Sequence, residues 1–398
     1  MITSLRLIDF KNFADETLRL GPFTVLVGAN ASGKSNIRDA FRLLHGIGCG
    51  YSLGEIFGGK YSSGHLLWAP LRGAPNEILR HGQNVFRIVL DYETQESDIQ
   101  FDVSVSKDNR SDSYEISSEA ISIDGEFMYD FPSDEMGILE DLFTEFFVRN
   151  QLIFSHWDQF KNSKNGKNIT SAFSNMRFLD PVPELIRQPS FPGQEVLGDH
   201  GENLPAVVKY LYEDETLRKT LVEWIRELTP MDISDFEFPT DPAGRIHLIL
   251  KERDGRRVSS FAASDGTLRF VTIIAALLIP NPPSLYFFEE IDNGIHPSRL
   301  RLLVDLIETR TAKGQTQVVA TTHSPELLSI MNDETFKHTS VVSRQEGDAE
   351  AIIRQVCKIP NATELRKSQG LGRLLAGGWM ENALAFTEDD ADGEETPG

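Results

Sequence analysis

Sulfur and positive charge are both scarce in this chain. Its 398 residues include two cysteines, Cys49 and Cys357, far apart and without metal-ligand spacing. That excludes a disulfide scaffold and makes a reducing compartment the expectation. No run of eighteen apolar residues occurs, which excludes a membrane-spanning helix. The N-terminus leads straight into a strand pattern, so no signal peptide and a cytoplasmic location are expected. Against 60 Asp and Glu there are 39 Lys and Arg, a net charge of −21. That charge argues against a broad phosphate-binding surface, and any DNA contact needs a confined basic patch or a partner. Glu388, Asp389, Asp390, Asp392, Glu394 and Glu395 form an acidic tail with the composition of a disordered segment. Without them the chain still carries −15. No internal repeat is present, and no heptad pattern continues long enough for a coiled coil.

What is present is concentrated in a few short motifs. Residues Gly28 to Ser35 read G-A-N-A-S-G-K-S, a complete P-loop. A glycine-rich turn points successive backbone N–H groups inward, and the helix that follows offers its positive end, so the loop is built for phosphate. Gly28, Asn30, Ala31, Ser32, Gly33, Lys34, Ser35 and Asn36 are accordingly the residues expected around ATP. Lys34 would reach the β- and γ-phosphates, and the Ser35 hydroxyl would ligate Mg²⁺. The context fits: Phe23 to Val27 is an apolar run suited to a buried strand, and Ile37, Ala40, Phe41 and Leu44 recur at helical spacing.

A second apolar strand, Leu285 to Phe288, ends in Glu289-Glu290. A carboxylate at the end of a buried strand beside a P-loop can hold Mg²⁺, the role expected of Glu289. Glu290 would polarise the attacking water. A third apolar strand, Val318 to Thr322, precedes His323-Ser324-Pro325, and His323 would contact the γ-phosphate and that water. Ser264-Asp265-Gly266-Thr267-Leu268-Arg269 opens a helix and makes another anion-binding end.

In this order the P-loop, the S-D-G-T segment, the E-E pair and the T-H-S-P segment resemble the ABC-type ATPases related to RecF, the SMC proteins and the OLD family. Within that group the chain looks like the stand-alone bacterial ATPases that carry an "AAA family" name. The opening Leu5 to Phe13 (L-R-L-I-D-F-K-N-F) resembles the first strand of those heads. The resemblance covers roughly residues 1 to 50 and 175 to 345. It implies an α/β fold: a P-loop ABC-type ATPase head, with a mixed sheet core and an antiparallel β-lobe, plus a helical insertion lid. It also implies that Ser264 and Gly266 contact ATP held by an opposite protomer, so that heads pair around ATP as a homodimer or higher homo-oligomer. Three positions depart from the commonest pattern. Glu289 replaces the usual Asp. Asp265 stands where transporters carry Gly, as it does in the RecF-like group. His296, in Ile291 to Pro297 (I-D-N-G-I-H-P), stands where transporters carry an Asp. Gln83 is the nearest candidate for the Q-loop, and Arg269 is a further interface candidate.

The organisation expected is an N-terminal half of the head at 1–130, a helical insertion or lid at 131–235, and a C-terminal half at 236–345. A C-terminal docking segment at 346–386 and the acidic tail at 387–398 complete it. Phe86 to Tyr92, Asp98 to Ser106 and Ser113 to Ile123 alternate apolar and polar residues, as in an antiparallel meander. Met136 to Trp157 reads as an amphipathic helix, Lys161 to Thr170 as a polar loop, and Leu204 to Leu228 as two helical runs. Gly370 to Glu381 reads as a helix and glycine turn. No fused Toprim nuclease pattern follows the head. A separately encoded effector, such as a Toprim-like nuclease, is the family-level expectation, with DNA kept as a candidate ligand and no membrane partner. The function this implies is an ATP-hydrolysing switch that regulates an effector in DNA repair or antiphage defence. The alternatives are a protein-sensing ATPase (toxin-neutralising or scaffolding) and, disfavoured by the long insertion, a transporter subunit.

Overall fold

The computed structural model describes residues 1–108, 113–131, 163–229, 231–344 and 349–368. The amphipathic run at Met136 to Trp157, the glycine-rich Gly370 to Glu381 and the acidic tail lie outside the described residues. The chain divides into two compact units. The described residues of the first come from Met1–Met176 and Glu334–Leu365, and nearly all of those of the second from Arg177–Asp333.

The first unit contains a six-stranded antiparallel sheet. Its strands are, in spatial order, Phe13–Arg19, Ile2–Phe10, Val85–Glu93, Asp98–Asp108, Ser113–Ile123 and Glu126–Phe131. The period-two alternation expected for the meander is realised as one buried face. Leu5 pairs with Leu90 and Leu7 with Ile88. Leu90 in turn faces Phe101, and Ile88 faces Val103. All six side chains are fully buried, so cross-strand apolar pairs fix the register. The same unit holds the strand Phe23–Val27, parallel to Thr339–Arg344, which is itself antiparallel to Ala351–Gln355. These three strands are part of the mixed sheet. Every residue of Phe23–Val27, Thr24 included, is buried, as in a strand covered on both faces.

The helix Lys34–Gly48 follows, and Ile37, Ala40, Phe41 and Leu44 are its fully buried stripe. A correction concerns Lys161 to Thr170: Lys164–Ser174 is a helix, not a loop. Ser163 caps it by accepting the Gly166 N–H, and Ile169, Ala172 and Phe173 are buried. The cap and three buried apolar groups outweigh the poor helix propensity of its Gly and Asn residues. His45 on the neighbouring helix bonds the Phe173 carbonyl at 2.8 Å.

In the second unit Leu285–Phe288 runs parallel to Gln317–Thr322, and both are buried throughout. Tyr286 donates its hydroxyl to the Ala276 carbonyl at 2.6 Å, and burial pushes that hydroxyl's pKa well up, so it stays a neutral donor. The two expected helical runs are Leu204–Glu213 and Glu215–Leu228, which pack against Asp265–Leu278. In the Pro-rich connector from Pro181 to Pro192, Pro183–Ile186 makes one helical turn. A small antiparallel sheet of Ile233–Glu237, Ile249–Glu252 and Arg257–Ser259 leads into the Ser264 segment.

Candidate nucleotide-binding and hydrolysis site

The strand Phe23–Val27 delivers the chain to Gly28. A Cβ on Gly28 would lie 2.0 Å from the Val342 carbonyl oxygen, so only glycine fits. Gly33 turns into the helix at φ 118°, a conformation glycine adopts without steric cost. It is the N-cap and has no side chain to cap with, so the first amides of a 15-residue helix are left for another acceptor. That is the form of helix end that takes phosphate. Ser32 Oγ is buried in the same loop without a hydrogen-bond partner among the described residues, and a phosphate oxygen would satisfy it. Lys34 Nζ lies over the loop, donating to the carbonyls of Gly28 at 2.6 Å and Ala29 at 2.8 Å. Asn30, Ala31 and Ser35 are exposed, and Asn36 donates to Asn12 Oδ1 at 2.6 Å. The loop's residues therefore fit a polyphosphate.

Three residues that sequence reasoning did not single out hold this loop's helix. Asp39, fully buried on the helix that Lys34 opens, accepts from Lys11 Nζ at 2.6 Å. Arg72 approaches the other Asp39 oxygen at 3.4 Å and donates to the Ser35 carbonyl at 2.7 Å. Lys11 Nζ also donates to the Arg72 carbonyl at 2.7 Å. A buried carboxylate with two cations fixes the helix start, and with it the position of Ser35. Gln83 lies in a turn, its N–H bonded to the Arg80 carbonyl.

In the second unit the strand Leu285–Phe288 ends at Glu289, whose N–H donates to the Leu179 carbonyl at 3.2 Å and whose Oε1 is buried. Glu290 then turns outward in the left-handed region, at φ 45°. Thr321 Oγ1 accepts its N–H at 2.9 Å. Asn293 Nδ2 donates to its Oε2 at 3.2 Å. Its Oε1 stands 4.0 Å from His323 Nε2, with side-chain exposures of 53% and 37%. That separation is too long for a hydrogen bond but short enough for ion pairing when the ring is protonated. Asn293 and Thr321 belong to the positioning of Glu290 and were not read from the sequence, although Asn293 lies inside the I-D-N-G-I-H-P loop.

Ser264 caps the helix Asp265–Leu278, accepting the Thr267 N–H at 3.2 Å. Asp265 pairs with Arg187, which also donates to the Ala263 carbonyl at 3.2 Å. The carboxylate at this position thus anchors the helix start to the Pro-rich connector. Gly266 lies against the loop after the carboxylates: a Cβ there would be 2.5 Å from the Gly294 carbonyl oxygen.

These two sets of groups define a P-loop ATPase with the ABC-type order of motifs. The family described as "AAA domain, putative AbiEii toxin, Type IV TA system" matches residues 23–329, and the chain belongs to it. A curated relative, the ATP/GTP phosphatase of Helicobacter pylori, is 23% identical over 373 residues, covering 89% of this chain and 94% of the relative. Among solved structures, the SMC head domain from Thermotoga maritima matches with a TM-score of 0.46 at 15% identity, over 89% of this chain and 98% of that one. An SMC head bound to the C-terminal winged-helix domain of ScpA matches with a TM-score of 0.48 at 16% identity, over 89% and 96%. No helix among the described residues is long and apolar enough to cross a membrane.

Proposed function

We propose that the chain is an ATP-driven switch: it pairs with a second copy around Mg-ATP, and hydrolysis releases the pair and changes the state of an effector protein. The observation that carries this reading is Glu290, whose N–H donates to Thr321 Oγ1 and whose exposed carboxylate accepts from Asn293 beside His323. A general base so placed accepts the proton of the attacking water and orients it for in-line attack. Lys34 and the loop amides neutralise phosphate charge. Ser35 and Glu289 carry the oxygen ligands that magnesium takes beside phosphates, and the ion would neutralise charge on the transferred group. His323 reads the γ-phosphate, and Ser264 and Gly266 complete the site of the opposite copy.

The effector reading is supported by two observations. The net charge of −21 favours a protein over a broad nucleic-acid surface as the main partner. The family's description names toxin–antitoxin members, which suits a regulator of a separately encoded nuclease or toxin in defence. DNA repair remains a parallel role if a confined basic patch binds duplex.

The test is the mass and ATPase rate of the wild type and of Glu290→Gln, each with and without ATP, Mg²⁺ and duplex DNA. An ATP-locked dimer of the variant is the expected result, with wild-type turnover responding to an effector. A strictly monomeric Glu290→Gln chain with ATP bound would remove the paired mechanism. Turnover that DNA alone alters would make DNA the sensed ligand.

A further inference from the structure

Across the antiparallel sheet of the first unit, one row of residues runs Asp91, Gln100, Ser122, Phe127, each directly opposite the next. In the row beyond it Glu93 stands opposite Asp98. These residues line a groove of about 630 Å³ at that end of the sheet. Like charges directly opposite each other cost a sheet stability. Neither Glu93 nor Asp98 is paired with a Lys or Arg among the described residues. Asp91 is held by neutral donors, Ser4 Oγ and, at 2.9 Å, Gln100 Nε2. The Met1 ammonium donates to the Glu93 carbonyl, not to a carboxylate. Elsewhere on this sheet and its turns carboxylates are matched: Asp15 with Arg6, Asp102 with Arg87, Glu96 with Lys164. The groove therefore concentrates negative charge that a cation from outside would balance.

Its apolar wall is Phe127, 72% exposed, on the strand Glu126–Phe131. Met128, next to it, is 52% exposed. That strand is the last of its sheet among the described residues. A sheet edge carrying large exposed apolar side chains is a template on which a further strand adds.

We propose that this groove and edge dock the effector protein through an extended segment of alternating basic and apolar residues. The segment's backbone adds to Glu126–Phe131. One of its Lys or Arg side chains crosses the Phe127 ring and sets its charge between Glu93 and Asp98. Three carboxylates select against phosphate, so the occupant is protein and not nucleic acid. This rests on the reading that the switch acts on an effector, and it adds the chemistry by which that effector is recognised.

The experiment titrates the full chain with a fluorescent decapeptide of alternating Lys and Val, read by anisotropy. A Glu–Val decapeptide and a single-stranded oligonucleotide serve as comparisons. The Lys–Val peptide binds and the other two do not. Asp98→Lys weakens its binding about tenfold or more, as loss of a charge-assisted contact does. Phe127→Ser weakens it about two- to fivefold, the worth of a cation over a ring. The double variant Glu93→Gln, Asp98→Asn also binds more weakly, yet its denaturation midpoint rises because the like-charge pair is gone. Equal binding by wild type and Asp98→Lys overturns the proposal, as does preference for the Glu–Val peptide or the oligonucleotide. A photoreactive side chain in place of Phe127 identifies any other occupant. Crosslinks to residues 136–157 of the same chain, or between two copies, overturn the assignment to an effector. Peptide binding that leaves ATP turnover unchanged keeps the docking site and removes its link to the switch. Failure of Glu290→Gln to pair in ATP removes the paired mechanism and leaves the docking site standing.

Discussion

The phosphate loop and the paired carboxylates are built in opposite ways. Around the loop the long side chains are already satisfied, Lys34 on two carbonyls, Asn36 on Asn12 and Asp39 between Lys11 and Arg72, while Ser32 Oγ and the first helix amides are left for phosphate. Around the carboxylates the reactive atoms are exposed and lightly held, with Glu290 and His323 4.0 Å apart. The first set is preorganised and belongs to the folded core. The second is left incomplete, and in an enzyme incomplete polar groups are where a ligand supplies the missing partner. Damage to the first should therefore appear as lost stability and affinity, and damage to the second as lost turnover with the fold intact.

Glu290→Gln is the sharpest probe of that contrast. Turnover should fall about 10²- to 10⁴-fold, as when a general base is removed, with the melting temperature unchanged. A drop of several degrees would show that the carboxylate set is structural too. Asp39→Ala should do the reverse. It strands Lys11 beside a buried position and should cost about 3–5 kcal/mol in denaturant unfolding, as one-sided loss of a buried ion pair does. Stability close to wild type would mean that the loop is not held by this cluster. Lys34→Ala should weaken nucleotide binding by about 1.5–3 kcal/mol, the worth of a charge-assisted hydrogen bond, read by calorimetry with ATP. The smallest effect concerns Glu16, which accepts the Ile353 N–H and pairs with Arg354 at 2.9 Å. Burial raises its pKa above the ordinary glutamate value. Folding then takes up a proton between the ordinary and the raised value. Its contribution is full below the ordinary value and declines as pH rises through the raised one. Glu16→Gln should remove that decline from the acid side of the stability profile, and an unaltered profile would show that Glu16 does not titrate with folding.

Where a local pattern determined the outcome, the sequence was readable. The P-loop strand is apolar but for Thr24 because it is covered on both faces, and the meander alternates because one face is buried. The P-loop, the E-E pair and the S-D-G-T start are short chemical signatures whose spacing is local. Contacts made across long stretches of chain were not readable. Lys11, Asp39 and Arg72 come from three separate segments, and Asp39 looks like any polar residue flanking an apolar stripe. Arg187 lies 78 residues from the Asp265 it holds. The helix Lys164–Ser174 was hidden for another reason: its Gly and Asn residues argue against helix, and the apolar groups that stabilise it lie near its far end. Its Ser163 cap was the one local signal available.

Glu290 has a consequence for how this protein could evolve. A glutamate at φ 45° occupies a backbone region that costs a side-chain-bearing residue about 1–2 kcal/mol relative to glycine. Glycine at this position would relieve the strain and abolish the base together. Selection for heat resistance alone would drift toward an inert chain here, and the persistence of glutamate would record selection for turnover.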